Sequence, residues 1–163
     1  MNDRTPLPYF YRIASPHGHE QLANLELRSL AGEVVADQSG ADHTVDRIRW
    51  AHAGVDLRSA AYVAEACRLL AAAPDFEGLL HETAKLGIDQ ERFRITLSRI
   101  GDQGIADTRE VQIAFGDAME GRPDLDRPAC EFIVIARHGG WLLGELVSRS
   151  DVAWCGQIGR AHV

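Results

Sequence analysis

The sequence predicts an α+β chain, an α/β sandwich in which helices cover a mixed sheet. Three observations predict it. Runs rich in branched and aromatic residues alternate along the chain with runs of helical period. Residues 93–100 alternate cleanly, with Phe93, Ile95 and Leu97 against Arg94, Thr96 and Ser98, as a half-buried strand does. Residues 130–137 are apolar on both phases, as in a central strand, and Gly139-Gly140 then turns the chain into a second apolar run.

The elements follow in order. Residues 8–14, Pro-Tyr-Phe-Tyr-Arg-Ile-Ala, form a strand that Ser15-Pro16-His17-Gly18 breaks. From His19 a helical pattern begins. Leu22, Leu25 and Leu30 make one apolar stripe, Ala23 and Leu27 lie beside it, and Gly32 ends it. Residues 37–46 are polar and aperiodic, hence a loop. Residues 47–55 return to alternation, with Ile48, Trp50 and Ala51 as inward candidates for a strand. Residues 59–73 predict a helix, with Ala60, Val63, Cys67 and Leu70 on one face and Pro74 as its stop. Asp75 caps a further helix, residues 76–86, closed by Gly87, so the two make a compact helical layer. After the strand at 93–100 come a turn-rich loop (101–108), a helix (109–119) and a structured loop (121–128). Residues 141–147 pair back on 130–137.

Composition narrows the function classes. The chain has 163 residues, 45% of them hydrophobic, enough for one ordinary domain or two small ones. It contains no run of eighteen apolar residues and opens without an apolar secretory core, which predicts a cytoplasmic protein that neither spans nor enters a membrane. Cys67, Cys130 and Cys155 are widely spaced and form no Cys-x-x-Cys pair, which fits a reducing interior. The net charge of −7, from 17 basic and 24 acidic residues, argues against a general nucleic-acid binder and against DNA. Lys85 is the one lysine, so the positive charge is almost all arginine, which pairs with phosphate in a way lysine does not. This composition therefore leaves room for a local arginine patch on an acidic body.

Motifs for catalysis are sparse. No Gly-x-Ser-x-Gly, phosphate-binding P-loop or Gly-x-Gly-x-x-Gly occurs, so no catalytic and no cofactor-binding residue is assigned. His17 and His19 straddle Gly18, but no cysteine or carboxylate at zinc-ligand spacing accompanies them, nor His43 or His52, so no metal is assigned. A small acid–base enzyme built on His17, His19 and Glu20 is an alternative that needs those groups to converge in a pocket. The single glycine in the turn before the first helix is a weak form of a phosphate loop. Asp124 and Asp126 read as loop caps between Arg122 and Arg127, and Cys67 as a core residue.

The arginines carry more. Arg94 and Arg99 border the strand at 93–100 and Arg92 precedes it, while Arg109 opens the next helix, where free backbone N–H groups favour phosphate. Arg92, Arg94, Arg99 and Arg109 are the candidate RNA-binding residues, holding a backbone by shape and charge. The alternative is a solvated polar face.

Three stretches carry a family resemblance. The first is Tyr9-Phe10-Tyr11 running into Gly18-His19-Glu20-Gln21-Leu22-Ala23-Asn24-Leu25-Glu26-Leu27. The second is Val55-Asp56-Leu57-Arg58-Ser59-Ala60-Ala61-Tyr62-Val63 with Cys67-Arg68-Leu69-Leu70. The third joins Phe93-Arg94-Ile95 through Arg99, then Gly116 and Ala118, Asp124-Leu125-Asp126-Arg127-Pro128, and the hairpin from Phe132 to Leu143. In this order they resemble the N-terminal part of tRNA guanine-N2 methyltransferases, and the third resembles a THUMP domain, an RNA-binding module of tRNA-modifying enzymes. The resemblance covers nearly all of residues 8–151. It implies a ferredoxin-like unit over 8–74 and a THUMP-like unit with a mixed sheet over 75–151. It also implies tRNA as partner and a following methyltransferase domain that uses S-adenosylmethionine.

The family's catalytic signature, an acidic residue or Asn followed by Pro-Pro and an aromatic, does not occur in this chain. Residues 157–163 end in Ile-Gly-Arg-Ala-His-Val, which ATC GGA AGA GCA CAC GTC would encode, a string similar to a sequencing adapter. The expectation is a truncated, catalytically inactive chain with a non-native tail at 157–163. The alternatives are a THUMP module from another tRNA-modifying enzyme, or an α+β protein-interaction domain without RNA contacts.

Overall fold

A computed structural model describes residues 7–15, 18–36, 47–99, 107–137 and 140–152. The fold is α+β. The chain divides into two compact units: residues 1–38, 46–68 and 147–163, and residues 39–45 and 69–146. The division falls inside two long strands, β4 (Val63–Ala73) and β8 (Trp141–Arg149), each of which contributes residues to both.

The first unit contains β1 (Tyr9–Ile13), α1 (Glu20–Ala31), β2 (Val34–Ala36), β3 (Ile48–Ala51) and the start of β4. Its strand order is β2-β3-β1-β4. The pairs β1–β3, β1–β4 and β2–β3 are all antiparallel. This is the split β-α-β order of a ferredoxin-like sheet. The second crossover helix of that pattern is replaced by an irregular segment, residues 52–62. Tyr11, Ile13, Ala23, Leu27, Leu57, Val63 and Ala66 form the core between sheet and α1.

Polar anchors hold the irregular segment in place. The Tyr11 hydroxyl donates to the Ala53 carbonyl and accepts the Val55 N–H at 3.1 Å. The two carboxylate oxygens of Glu26, on α1, accept the N–H groups of Ala61 and Tyr62, each at 2.9 Å. Ser148 Oγ accepts the Leu57 N–H at 2.8 Å, and Ser150 Oγ donates to the Ala60 carbonyl at 2.5 Å. Backbone groups without a strand partner are thus satisfied by side chains, as burial requires.

The second unit contains the end of β4, α2 (Phe76–Lys85), β5 (Asp89–Arg99), α3 (Thr108–Ala118), β6 (Glu120–Pro123), β7 (Cys130–Ala136) and most of β8. Its strand order is β4-β8-β7-β5-β6. β5 runs parallel to both β6 and β7, and β7 pairs antiparallel with β8, so the sheet is mixed as the sequence predicts. Phe93, Ile95, Phe132, Val134 and Leu143 meet Leu79, Val111 and Phe115 of the two helices in one core. Phe76 stacks at an angle on Trp141, with ring centroids 5.4 Å apart. Asp75 caps α2 as its sequence position predicts, accepting the Gly78 N–H at 2.7 Å.

Several expectations are corrected. The helix expected over 59–73 is β4. Residues 63–67 are buried on both faces, so the strand shows no alternation, and its alanines and cysteine fall by chance at helical spacing. No two-helix layer therefore exists there, and Cys67 is buried in a strand. On α1 the buried face is Ala23 and Leu27, while Leu22, Leu25 and Leu30 are exposed. The sheet packs against the small alanine, and the leucine triplet straddles the contact line. Residues 121–128 hold more than a loop, because Glu120–Pro123 pairs with β5 as an edge strand, where a proline is tolerated. The short strand Val34–Ala36 is also additional to the expected set. The expected loops at 37–46 and 101–106, the Gly139 half of the hairpin turn, and the tail at 157–163 lie outside the described residues.

Candidate nucleic-acid interface

The four candidate arginines fall into two pairs. Along β5, Arg92 and Arg94 share the phase opposite Phe93 and Ile95, so they stand on the sheet face away from α2 and α3. Arg99 is five residues beyond Arg94, roughly 16 Å along the strand, and on the other phase. Its Nη2 donates to Thr108 Oγ1 at 2.8 Å, tying the end of β5 to the first residue of α3.

Arg109 is exposed in the first turn of α3. Its backbone N–H is taken by Asp107, whose Oδ1 accepts it at 3.0 Å and caps the helix. The helix end therefore already carries a carboxylate, and what it offers outward is the two side-chain guanidinium groups. Arg99 and Arg109 are thus both exposed near the junction of β5 and α3, in the company of the exposed carboxylates of Asp107 and Glu110.

Arg94 is placed differently. Its Nε lies 2.6 Å and its Nη2 2.5 Å from Oε1 of Glu131, and Thr96 Oγ1 donates to the same oxygen at 3.0 Å. The Glu131 side chain is only 6% exposed and the Arg94 side chain 34%. A buried carboxylate needs a cation and hydrogen bonds to be tolerated, and Arg94 supplies both. Arg94 is consequently a fixed guanidinium whose charge is largely matched. Sequence reasoning missed Glu131. The signal was an acid inside a strand that is otherwise apolar on both phases.

A second group of arginines lies in the first unit, and sequence reasoning passed it over. Glu65, buried on β4, receives Arg12 at 2.5 Å on one oxygen and Arg149 at 3.5 Å on the other. Arg49 Nε donates to Asn24 Oδ1 at 2.8 Å. Arg47 Nη2 donates to the Ser15 carbonyl and its Nη1 stands 3.5 Å from Glu20. Burial holds Arg47 below the usual arginine pKa, with Glu20 opposing that and Arg12 and Arg49 adding to it. Strand position gave the hint, since β1 and β3 carry arginines where neighbouring residues are core.

The remaining candidates resolve simply. Asp124 Oδ1 accepts the N–H groups of Asp126 and Arg127 at 3.1 and 3.0 Å, which is the loop-capping role expected of it. His19 and His52 are exposed. His17 and His43 lie outside the described residues. Glu20 turns to Arg47 and to the Gly18 N–H, which commits that carboxylate to the junction between β1 and α1. Among the described residues no group of three His, Cys, Asp or Glu side chains is placed to hold a metal. No helix among them is long and apolar enough to cross a membrane.

No protein-family model matches the chain, and no curated protein sequence does. The fold is similar to several solved structures. TrmN from Thermus thermophilus matches with a TM-score of 0.57 at 20% identity, over 85% of this chain and 45% of that one. A 4-thiouridine synthetase, solved in complex with RNA and bound ATP, matches with a TM-score of 0.52 at 12% identity, over 85% and 41%. A possible methylase from Clostridium difficile 630 gives 0.55 at 14% identity, over 85% and 41%. At these identities the likeness is one of fold. The chain spans less than half the length of each of these three.

Proposed function

We propose that this chain is the RNA-binding, THUMP-type part of a tRNA-modifying enzyme, with tRNA as its partner. The observation that carries the reading is the fold likeness over 85% of the chain to a 4-thiouridine synthetase solved with RNA and to TrmN. The finer reading is a guanine-N2 methyltransferase, and it rests on the sequence resemblance. In that reading residues 8–74 are the ferredoxin-like unit and 75–151 the THUMP-like unit. Chemistry would belong to a domain that binds S-adenosylmethionine, and the protein would work in the cytoplasm.

Binding would be electrostatic and indifferent to base identity. Arg99 and Arg109 are the contacts best placed for it, because both are exposed beside one helix end. Arg92 would add a partly exposed cation on the opposite sheet face. Arg94 serves chiefly to neutralise Glu131 and to fix the surface around it. The acidic balance of −7 predicts modest affinity for the isolated chain.

A gel-shift titration with tRNA in about 50 mM salt tests the reading, since phosphate contacts weaken steeply as salt rises. Retardation that fades with salt supports it. Absence of retardation would favour the protein-interaction reading, for which the exposed leucines of α1 offer one apolar surface. Calorimetry with S-adenosylmethionine is expected to give no saturable heat, and a micromolar dissociation constant would place the donor site in this chain instead.

A further inference from the structure

We draw no further inference here: the strongest candidate, the exposed apolar surface of α1 formed by Leu22, Leu25 and Leu30, carries nothing because nothing in the structure shows what covers it.

Discussion

Arg94 and Glu131 stand opposite each other in the parallel pairing of β5 and β7, and two guanidinium nitrogens close on one oxygen of the buried carboxylate. The pair couples the stability of the second unit to an arginine that sequence alone marks for RNA. Removing either partner takes away the ion pair that lets the other charge be accommodated there. Glu131→Ala or Arg94→Met is therefore expected to cost about 3 kcal/mol, the low end for a buried pair because Arg94 keeps some water contact. The double change to Arg94→Met with Glu131→Met should recover most of that loss, since no buried charge remains. Urea unfolding midpoints at constant slope measure this, and strictly additive losses would show that the pair is not coupled.

Gly121 is a glycine whose replacement meets backbone directly. It lies on the edge strand β6 at φ 118°, and a Cβ there would come within 1.6 Å of the Gln90 carbonyl oxygen on β5. Neither the conformation nor the neighbour can accommodate a side chain cheaply. Gly121→Ala should destabilise the protein by at least about 2 kcal/mol and loosen the β5–β6 pairing. Hydrogen exchange at Glu120, whose N–H donates to the Ile88 carbonyl, reports that loosening. Unchanged protection there would refute the predicted clash.

Tyr11 gives the fold a dependence on alkaline pH. Burial raises its pKa above 10.0, the Val55 N–H opposes that, and Tyr9 adds slightly to the rise. The folded state thus binds the phenolic proton more tightly than the unfolded chain. The resulting stabilisation is complete below about pH 10 and is lost as pH rises through the folded value. Arg137 titrates in the same region, since burial pushes it down to about 10, and its contribution has the opposite sign. Comparing wild type with Tyr11→Phe cancels the arginine. The variant should lose about 1–2 kcal/mol at neutral pH, from the unpaired Ala53 carbonyl and Val55 N–H. Its stability should also fall less steeply above pH 10, and parallel pH profiles for the two proteins would count against the assignment.

Legibility followed the physics of each segment. The strand at Phe93, the Asp75 cap and the hairpin from Cys130 were readable because alternation, capping chemistry and a paired glycine turn are local signals. β4 was not, because a strand buried on both faces carries no period, and alanine-rich composition then favours a helix. β6 was hidden by its glycine and proline, which an edge position permits. The candidate interface was legible as a set of arginines and illegible as an arrangement. The bond from Arg99 to Thr108 spans nine residues, whereas the ones from Arg94 to Glu131 and Arg12 to Glu65 span 37 and 53. Pairings of that separation depend on strand order, which one sequence does not state.

The same distinction sets the decisive RNA experiment. A charge reversal at Arg94 would place a second carboxylate on Glu131, so lost binding would be confounded with lost folding. Arg99 and Arg109 are exposed, and Arg99→Gln with Arg109→Gln removes two cations at the β5–α3 edge, while the melting temperature of the double variant reports what loss of the Arg99–Thr108 bond costs. If phosphates sit there, the double variant should bind every tRNA more weakly. The slope of log affinity against log salt should fall by about 1.4–1.8, the share of two phosphate contacts. Arg94→Lys serves as the comparison, because it keeps the charge beside Glu131 and loses only the forked geometry. Loss of binding in Arg94→Lys alone would move the interface to the sheet face that carries Arg92 and Arg94. An unchanged salt slope in the double variant would remove Arg99 and Arg109 from the interface altogether.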